Sequence, residues 1–447
     1  MSSKRDLVEA HGYNRRRLVT AFVSGAPGGR EVEPVRYGRT IIGGIVLALM
    51  VVAGAAVSGF LQKPPPKDWD QAGLVIGKDS GSRFYAYQGS LYPIINIASA
   101  RLLLEPGTKP VTIADDVIAG KKAGATIGIA GAPEVLPTPS ELVDQGWTAC
   151  TNSGGGIRVS LTDQPLSRPA DGAALLVESE GRSFLVAGER RFAVPTGSAG
   201  QQVLRSLGLD GIAPVQVSGL WLGLVPEGSE LGTETLPGYG KAVDTGVEGL
   251  DRVGTPVEVG DLHFVVSERG TLLRTTEFAD LVYRAFQQPV EKQLAELEQL
   301  DTTSGSAGHP GDWPESAVTP YSQSTTPCLR MDSGEEQAPV VRLAEVTDDS
   351  ALSDSTELVR NVSLRSGAVV RAVSGANVID QGAVYLVDGS GTSYAVGSRS
   401  DGSGLVSLGY GDYAPRPVPA SWMDLFAPGP QLSPEAASKR PATVSQS

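Results

Sequence analysis

The sequence predicts an α+β membrane protein: one transmembrane helix near the N-terminus, then an elongated outer region of four small hairpin-and-helix repeats around a discontinuous central domain. Three observations carry that reading. The run Ile41–Leu61 (IIGGIVLALMVVAGAAVSGFL) is 21 residues without a charge, short apolar strands joined by glycine turns recur beyond it, and two Trp–Cys segments lie between the repeats in nearly palindromic order.

Composition agrees with this organisation. A chain of 447 residues exceeds what one hydrophobic core usually serves. With 40% hydrophobic and 19% charged residues, 55 Gly and 31 Pro, it is globular and rich in turns, which suits short strands better than long helices. A net charge of -13 argues against a nucleic-acid binder, because neutralising phosphates needs a basic face.

At ~1.5 Å rise per residue, Ile41–Leu61 matches the ~30 Å hydrocarbon core of a bilayer. Ala53-Gly54-Ala55 resembles a signal-peptidase site, but 40 residues precede the run, which is also longer than the ~7–15 residues of a signal-peptide core, so an uncleaved anchor is expected. Residues 1–40 carry eight Lys or Arg, with Arg15, Arg16 and Arg17 consecutive, against four acids; this basic tail is expected to stay in the cytoplasm. Beyond the run come a proline-rich linker (62–72) and a region whose 29 basic and 46 acidic residues are expected outside. Cys150 and Cys328 both lie there, where an oxidising environment permits a disulfide. No metal or cofactor site is expected: there is no CxxC, and His11, His263 and His309 are scattered.

The repeat unit reads strand, glycine turn, strand, helix. Its first strand is Leu74-Val75-Ile76, Leu175-Leu176-Val177 or Tyr385-Leu386-Val387, and its second is Phe84–Tyr87, Phe184-Leu185-Val186 or Tyr394-Ala395-Val396. His263–Val266 with Leu272-Leu273 is a weaker third copy, followed by Phe278, Leu281, Val282 and Ala285 on one helical face and a helix-like stretch at Glu291–Leu300. Copies two and four end alike, with Trp221 before Pro226-Glu227-Gly228 and Trp422 before Pro428-Gly429, both tryptophans read as core anchors. The expected boundaries are repeats at 73–122, 171–245, 246–303 and 376–437, a central domain from 123–170 and 304–375, and a flexible tail at 438–447. The pairing of Cys150 with Cys328 would staple the two central segments.

YNRRRL ahead of the anchor, GSLYPIINIASAR at Gly89–Arg101, GIAGAP at Gly128–Pro133, WTAC at Trp147–Cys150 and LGYG at Leu408–Gly411 together make the chain resemble the EccB family of actinobacterial type VII secretion systems. The resemblance runs along nearly the whole chain. It implies an inner-membrane assembly with subunits like EccC, EccD and EccE, and self-association of the outer region. It also carries a suggestion of ATP hydrolysis, for which the residues offer little. Gly77-Lys78, Gly120-Lys121 and Gly240-Lys241 each lack the upstream Gly and following Ser or Thr of a phosphate loop, and GYGDYA at Gly409–Ala414 runs into Pro415 instead of a helix.

GxSxG and HExxH are absent. The acidic pairs Asp115-Asp116, Glu335-Glu336 and Asp348-Asp349 read as solvated loop charge, and no catalytic residue is assigned. The expected function is a structural membrane subunit for protein export. The alternative is cell-wall binding through exposed tyrosines such as Tyr85, Tyr87, Tyr92 and Tyr394, with nucleotide hydrolysis a more distant third.

Overall fold

The structure is a computed structural model; it describes residues 3–25, 37–60, 65–105, 107–152, 154–298, 300–303, 308–322, 326–334, 337–346, 357–363, 365–375, 379–397 and 404–441. Two units result, Met1–Lys67 and Asp68–Ser447.

In the first unit, helix α1 (Lys4–Ser24) starts in a capping box, Ser3 accepting from the first-turn backbone while Asp6 returns the bond, and stops at Gly25, whose left-handed backbone (φ 60°) donates back to Ala21. Helix α2 (Tyr37–Phe60) holds most of the apolar run. Among the described residues no helix is long and apolar enough to cross a membrane, which departs from the expected span. The described side chains of the run end at Gly54, α2 itself continues to Phe60, and Leu61 lies outside the described residues.

The second unit holds four sheets of one topology. In the first, Ala72–Gly77, Arg83–Tyr87 and Ser90–Pro93 form an antiparallel meander; α3 (Ile97–Leu103) then leads to Val111–Ile113, parallel to the first strand, and α4 (Asp115–Ala119) to Lys122–Ala123, parallel to the third. The second sheet repeats this with Ala173–Ser179, Arg182–Ala187, Arg190–Ala193, α5 (Ser198–Ser206), Val215–Gln216, α6 (Gly219–Leu222) and a parallel bridge from Arg191 to Glu227. The third runs Pro256–Val259, Leu262–Val266, Leu272–Arg274, α7 (Glu277–Arg284), Val290–Glu291 and Thr302–Thr303. The fourth runs Ala368–Val373, Val384–Val387, Thr392–Ala395, α8 (Gly404–Leu408), Arg416–Pro419, α9 (Ala420–Met423) and Ala427–Pro428, before α10 (Pro434–Ala437).

Each sheet therefore has a third meander strand and two short parallel edge segments beyond the hairpin read from sequence, the second of them in the second sheet being a single bridge. In the third and fourth units the expected first strands, His263–Val266 and Tyr385–Val387, are the middle strands of their meanders, and the fourth sheet reaches back to Ala368, ahead of residue 376. Tight turns explain the ambiguity. Gln88-Gly89 joins strands two and three of the first meander and Glu180-Gly181 joins strands one and two of the second, all four residues at positive φ, so successive hairpins carry the same signature. Glu291–Leu300, expected to be helical, holds the end of a strand and a 3-10 turn at Leu294–Leu297.

A central six-stranded sheet takes strands from both sides of the second and third units, in the order Leu358–Val362, Ile157–Leu161, Trp147–Thr151, Pro327–Asp332, Val340–Val346 and Ser167–Pro169. Its core is continuous with the second and fourth units through Trp147, Trp221 and Trp422, all fully buried. Each indole finds a backbone acceptor: Trp147 Nε1 donates to Val143 O (3.0 Å), Trp221 Nε1 to Ala149 O (3.0 Å) and Trp422 Nε1 to Leu224 O (3.2 Å). A second core joins units two and three through Phe192, Val203, Phe278, Tyr283 and Trp313, and a third joins units one and four through Leu102, Leu386, Tyr394 and Leu408.

Candidate functional site

Cys150 and Cys328 are direct cross-strand partners in the central sheet, joined by a disulfide and nearly inaccessible to solvent, with Cα atoms 3.9 Å apart. Arg15, Arg16 and Arg17 are exposed on α1. Being consecutive they fan over ~200° of the helix rather than forming one basic face.

The lysines of the three Gly-Lys pairs do not converge. Lys78 is exposed, Lys121 pairs with Asp70 (2.6 Å) over the Trp69 ring, and Lys241 stands 3.8 Å from Glu268. Of the acidic pairs, Asp116 is exposed, but Asp115 is more than solvated charge: its carboxylate accepts from the Ser80 hydroxyl and from the backbone N–H of Asp79 and Ser80. These bonds, the Ser80 hydroxyl first, hold its pKa below the usual carboxylate value and clamp the turn between the first two strands. Glu335-Glu336 and Asp348-Asp349 lie outside the described residues. Among the tyrosines, Tyr87 is exposed and stacks on Tyr85, whereas Tyr394, expected to be exposed, is 4% accessible. Its hydroxyl donates to Asp388 (3.0 Å), and burial with that neighbouring carboxylate pushes its pKa up to about 12.

Sequence reading missed one cluster, on the third sheet. Glu258 and His263 are register partners on adjacent antiparallel strands, and α7 brings Asp280 and Arg284, one turn apart, over them. His263 Nδ1 lies 3.2 Å from Asp280 Oδ2, and Arg284 bridges Asp280 (2.6 Å) and Glu258. Burial raises the Asp280 pKa against the lowering pull of Arg284 and His263. A cleft of about 610 Å³ opens beside the cluster, lined among others by Asp261, Arg274, Glu277 and Glu315. The available signal was Asp280 itself, an acid next to the apolar positions of a helix face. The buried face is in fact Phe278, Ala279, Val282 and Tyr283, and Asp280 is buried with it.

The profile of the family described as "Type VII secretion system ESX-1, transport TM domain B", EccB, matches residues 1–446. The chain belongs to this family. Similar relatives include the ESX-2 secretion system ATPase EccB2 of Mycobacterium tuberculosis, 27% identical over 97% of this chain and 94% of that one, and the ESX-3 secretion system ATPase EccB3 of Mycolicibacterium smegmatis, 24% identical over 90% and 84%. Among solved structures, the EccB3 dimer from the ESX-3 core complex superposes with a TM-score of 0.64 at 19% identity, covering 82% of this chain and all of that one. A chain of an intact ESX-5 inner membrane complex superposes with a TM-score of 0.63 at 18% identity, covering 100% and 97%. As an EccB-family member the chain is a component of type VII secretion.

Proposed function

We propose that the chain is a structural subunit of a type VII secretion membrane complex, whose second unit forms an extracytoplasmic scaffold. The observation that carries this is the family match over residues 1–446, taken with cores that run without interruption from sheet to sheet. Shared cores make adjacent sheets one rigid body, the property a scaffold needs and a lone catalytic domain does not. We read the four like sheets as copies of one module around a central domain built from both flanks.

The large apolar side chains from Ile41 to Val52 on α2 are 45–67% exposed, and lipid is the cover that supports a single pass with Met1–Lys67 carrying the cytoplasmic end. Partners on this reading are membrane subunits like EccC, EccD and EccE, lipid headgroups near Arg15–Arg17, and further copies of the chain. Relatives bear the name ATPase, yet Lys121 is paired with Asp70 here and Lys241 stands in a separate loop beside Glu268, which favours scaffolding over hydrolysis. A second reading, attachment to cell-wall polymer, draws on the stacked Tyr85–Tyr87 pair. Sizing the complex that co-purifies with a tagged chain decides between them. A multi-subunit membrane assembly is expected, whereas a chain migrating alone while its outer unit sediments with peptidoglycan overturns the scaffold reading.

A further inference from the structure

We infer that Glu258, His263 and Asp280 form a binding site for a first-row divalent cation, with Zn²⁺ the ion their chemistry fits best. Each offers one ligand atom, and the three atoms lie within 4.8 Å of one another. Two come from register partners on one hairpin and the third from the helix above it, so the backbone alone brings them together.

Two buried atoms point to a ligand. Asp280 is 1% exposed, yet its Oδ1 has no hydrogen-bond partner, and His263 Nδ1 makes none although Asp280 Oδ2 is 3.2 Å away. With Asp280 Oδ2 held by Arg284, the unpartnered Oδ1 is the oxygen left to a cation beside His263 Nδ1.

Arg284 completes the arrangement. It grips Asp280 Oδ2 and Glu258 Oε1, leaving the second oxygen of each carboxylate for an ion, which is how outer-shell groups orient metal ligands. The two carboxylates and one guanidinium leave the site net negative. Asp261, Glu277 and Glu315 line the adjoining cleft with Arg274, and this acidic passage supplies access and room for water as a further ligand. The imidazole selects against Mg²⁺ and Ca²⁺, which prefer all-oxygen shells. Bound there, the ion would tie α7 to the third sheet.

The test uses the full chain in detergent, stripped with EDTA and titrated with ZnCl2 by calorimetry. His11→Ala and His309→Ala are present throughout, removing the two other histidines. One Zn²⁺ per chain is expected, unaffected by excess Mg²⁺, with affinity falling about tenfold or more in His263→Ala. Co²⁺ should give visible ligand-field bands that the same substitution abolishes. Glu258→Gln, at a partly solvated position, gives the same readout should His263→Ala lose its cooperative thermal transition. Absence of stoichiometric uptake, or uptake indifferent to both substitutions, overturns the site.

Discussion

Cys150 and Cys328, 178 residues apart in the chain, face each other across adjacent antiparallel strands, and their disulfide joins the two segments that build the central sheet. Between them lie the whole second and third units. On the chain-entropy account, closing so long a loop restricts the unfolded ensemble by ~5 kcal/mol. The double substitution Cys150→Ala/Cys328→Ala is expected to lower unfolding stability by about 2–5 kcal/mol, read by denaturant titration of the purified chain. Wild-type protein under reducing conditions should fall to the same midpoint. In protein taken from its native compartment, non-reducing peptide mass spectrometry should find the two cysteine peptides linked, and free thiols at both positions would refute the staple.

In three modules the glycine just after the last paired segment sits over an aromatic ring of the third strand: Gly124 over Tyr92, Gly228 over Phe192 and Gly429 over Tyr394. A Cβ there would come within 2.4–2.5 Å of ring carbons. Buried Tyr394 cannot swing away without losing its bond to Asp388, so Gly429→Ala should cost about 1–3 kcal/mol. Gly25→Ala, with nothing near its Cβ, should leave the second unit's transition unchanged. Equal effects from the two would mean that ring contact is not what the glycine serves.

Several of these relationships were open to sequence reading and others were not. The apolar run, the cysteines and the two Trp endings stand out because each is a local compositional event. The parallel edge strands do not, since Lys122–Ala123 and Val215–Gln216 are too short to show a period of two. The middle strands of units three and four read as first strands because glycines at positive φ lie on both sides of each, Gly260 and Gly270 in one and Gly382 and Gly391 in the other. The Glu258–His263–Asp280 cluster was invisible for another reason: strand register and a helix crossover, not spacing in the chain, bring those residues together.

Acid should loosen the first module. Asp115, bonded to Ser80, and Asp70, bonded to Lys121, both have pKa values below the ordinary 3.8. A carboxyl whose pKa is lower folded than unfolded contributes stability above the unfolded value, and that contribution is lost as pH falls through the folded one. Amide exchange around Lys78–Ser82 should therefore accelerate, relative to the second module, once pH drops below 3.8. Asp115→Asn should show the faster exchange already at neutral pH. Unchanged protection in this variant would remove the clamp from the account.

The last prediction separates scaffold from enzyme by comparing two sets of basic residues. Replacing Arg15, Arg16 and Arg17 with Ala removes charge that fans around α1, so several neighbours lose attraction at once, at up to ~1 kcal/mol per charge near an anionic membrane. Complex recovery and secretion should fall together. An export-dependent phosphatase fused after residue 80 should be active and one fused after residue 35 inactive, placing those arginines on the cytoplasmic side; the reverse pattern would sink the orientation. Replacing Lys78, Lys121 and Lys241 together should leave assembly and secretion nearly intact, with a local loss of order around Asp70 where the Lys121 pair is broken. A lysine variant that assembles at full size, yet loses secretion together with nucleotide turnover measured on the wild-type outer unit, would make the chain an enzyme. Those lysines would then have to be brought to one phosphate by contacts between copies, since within one chain each serves a different loop.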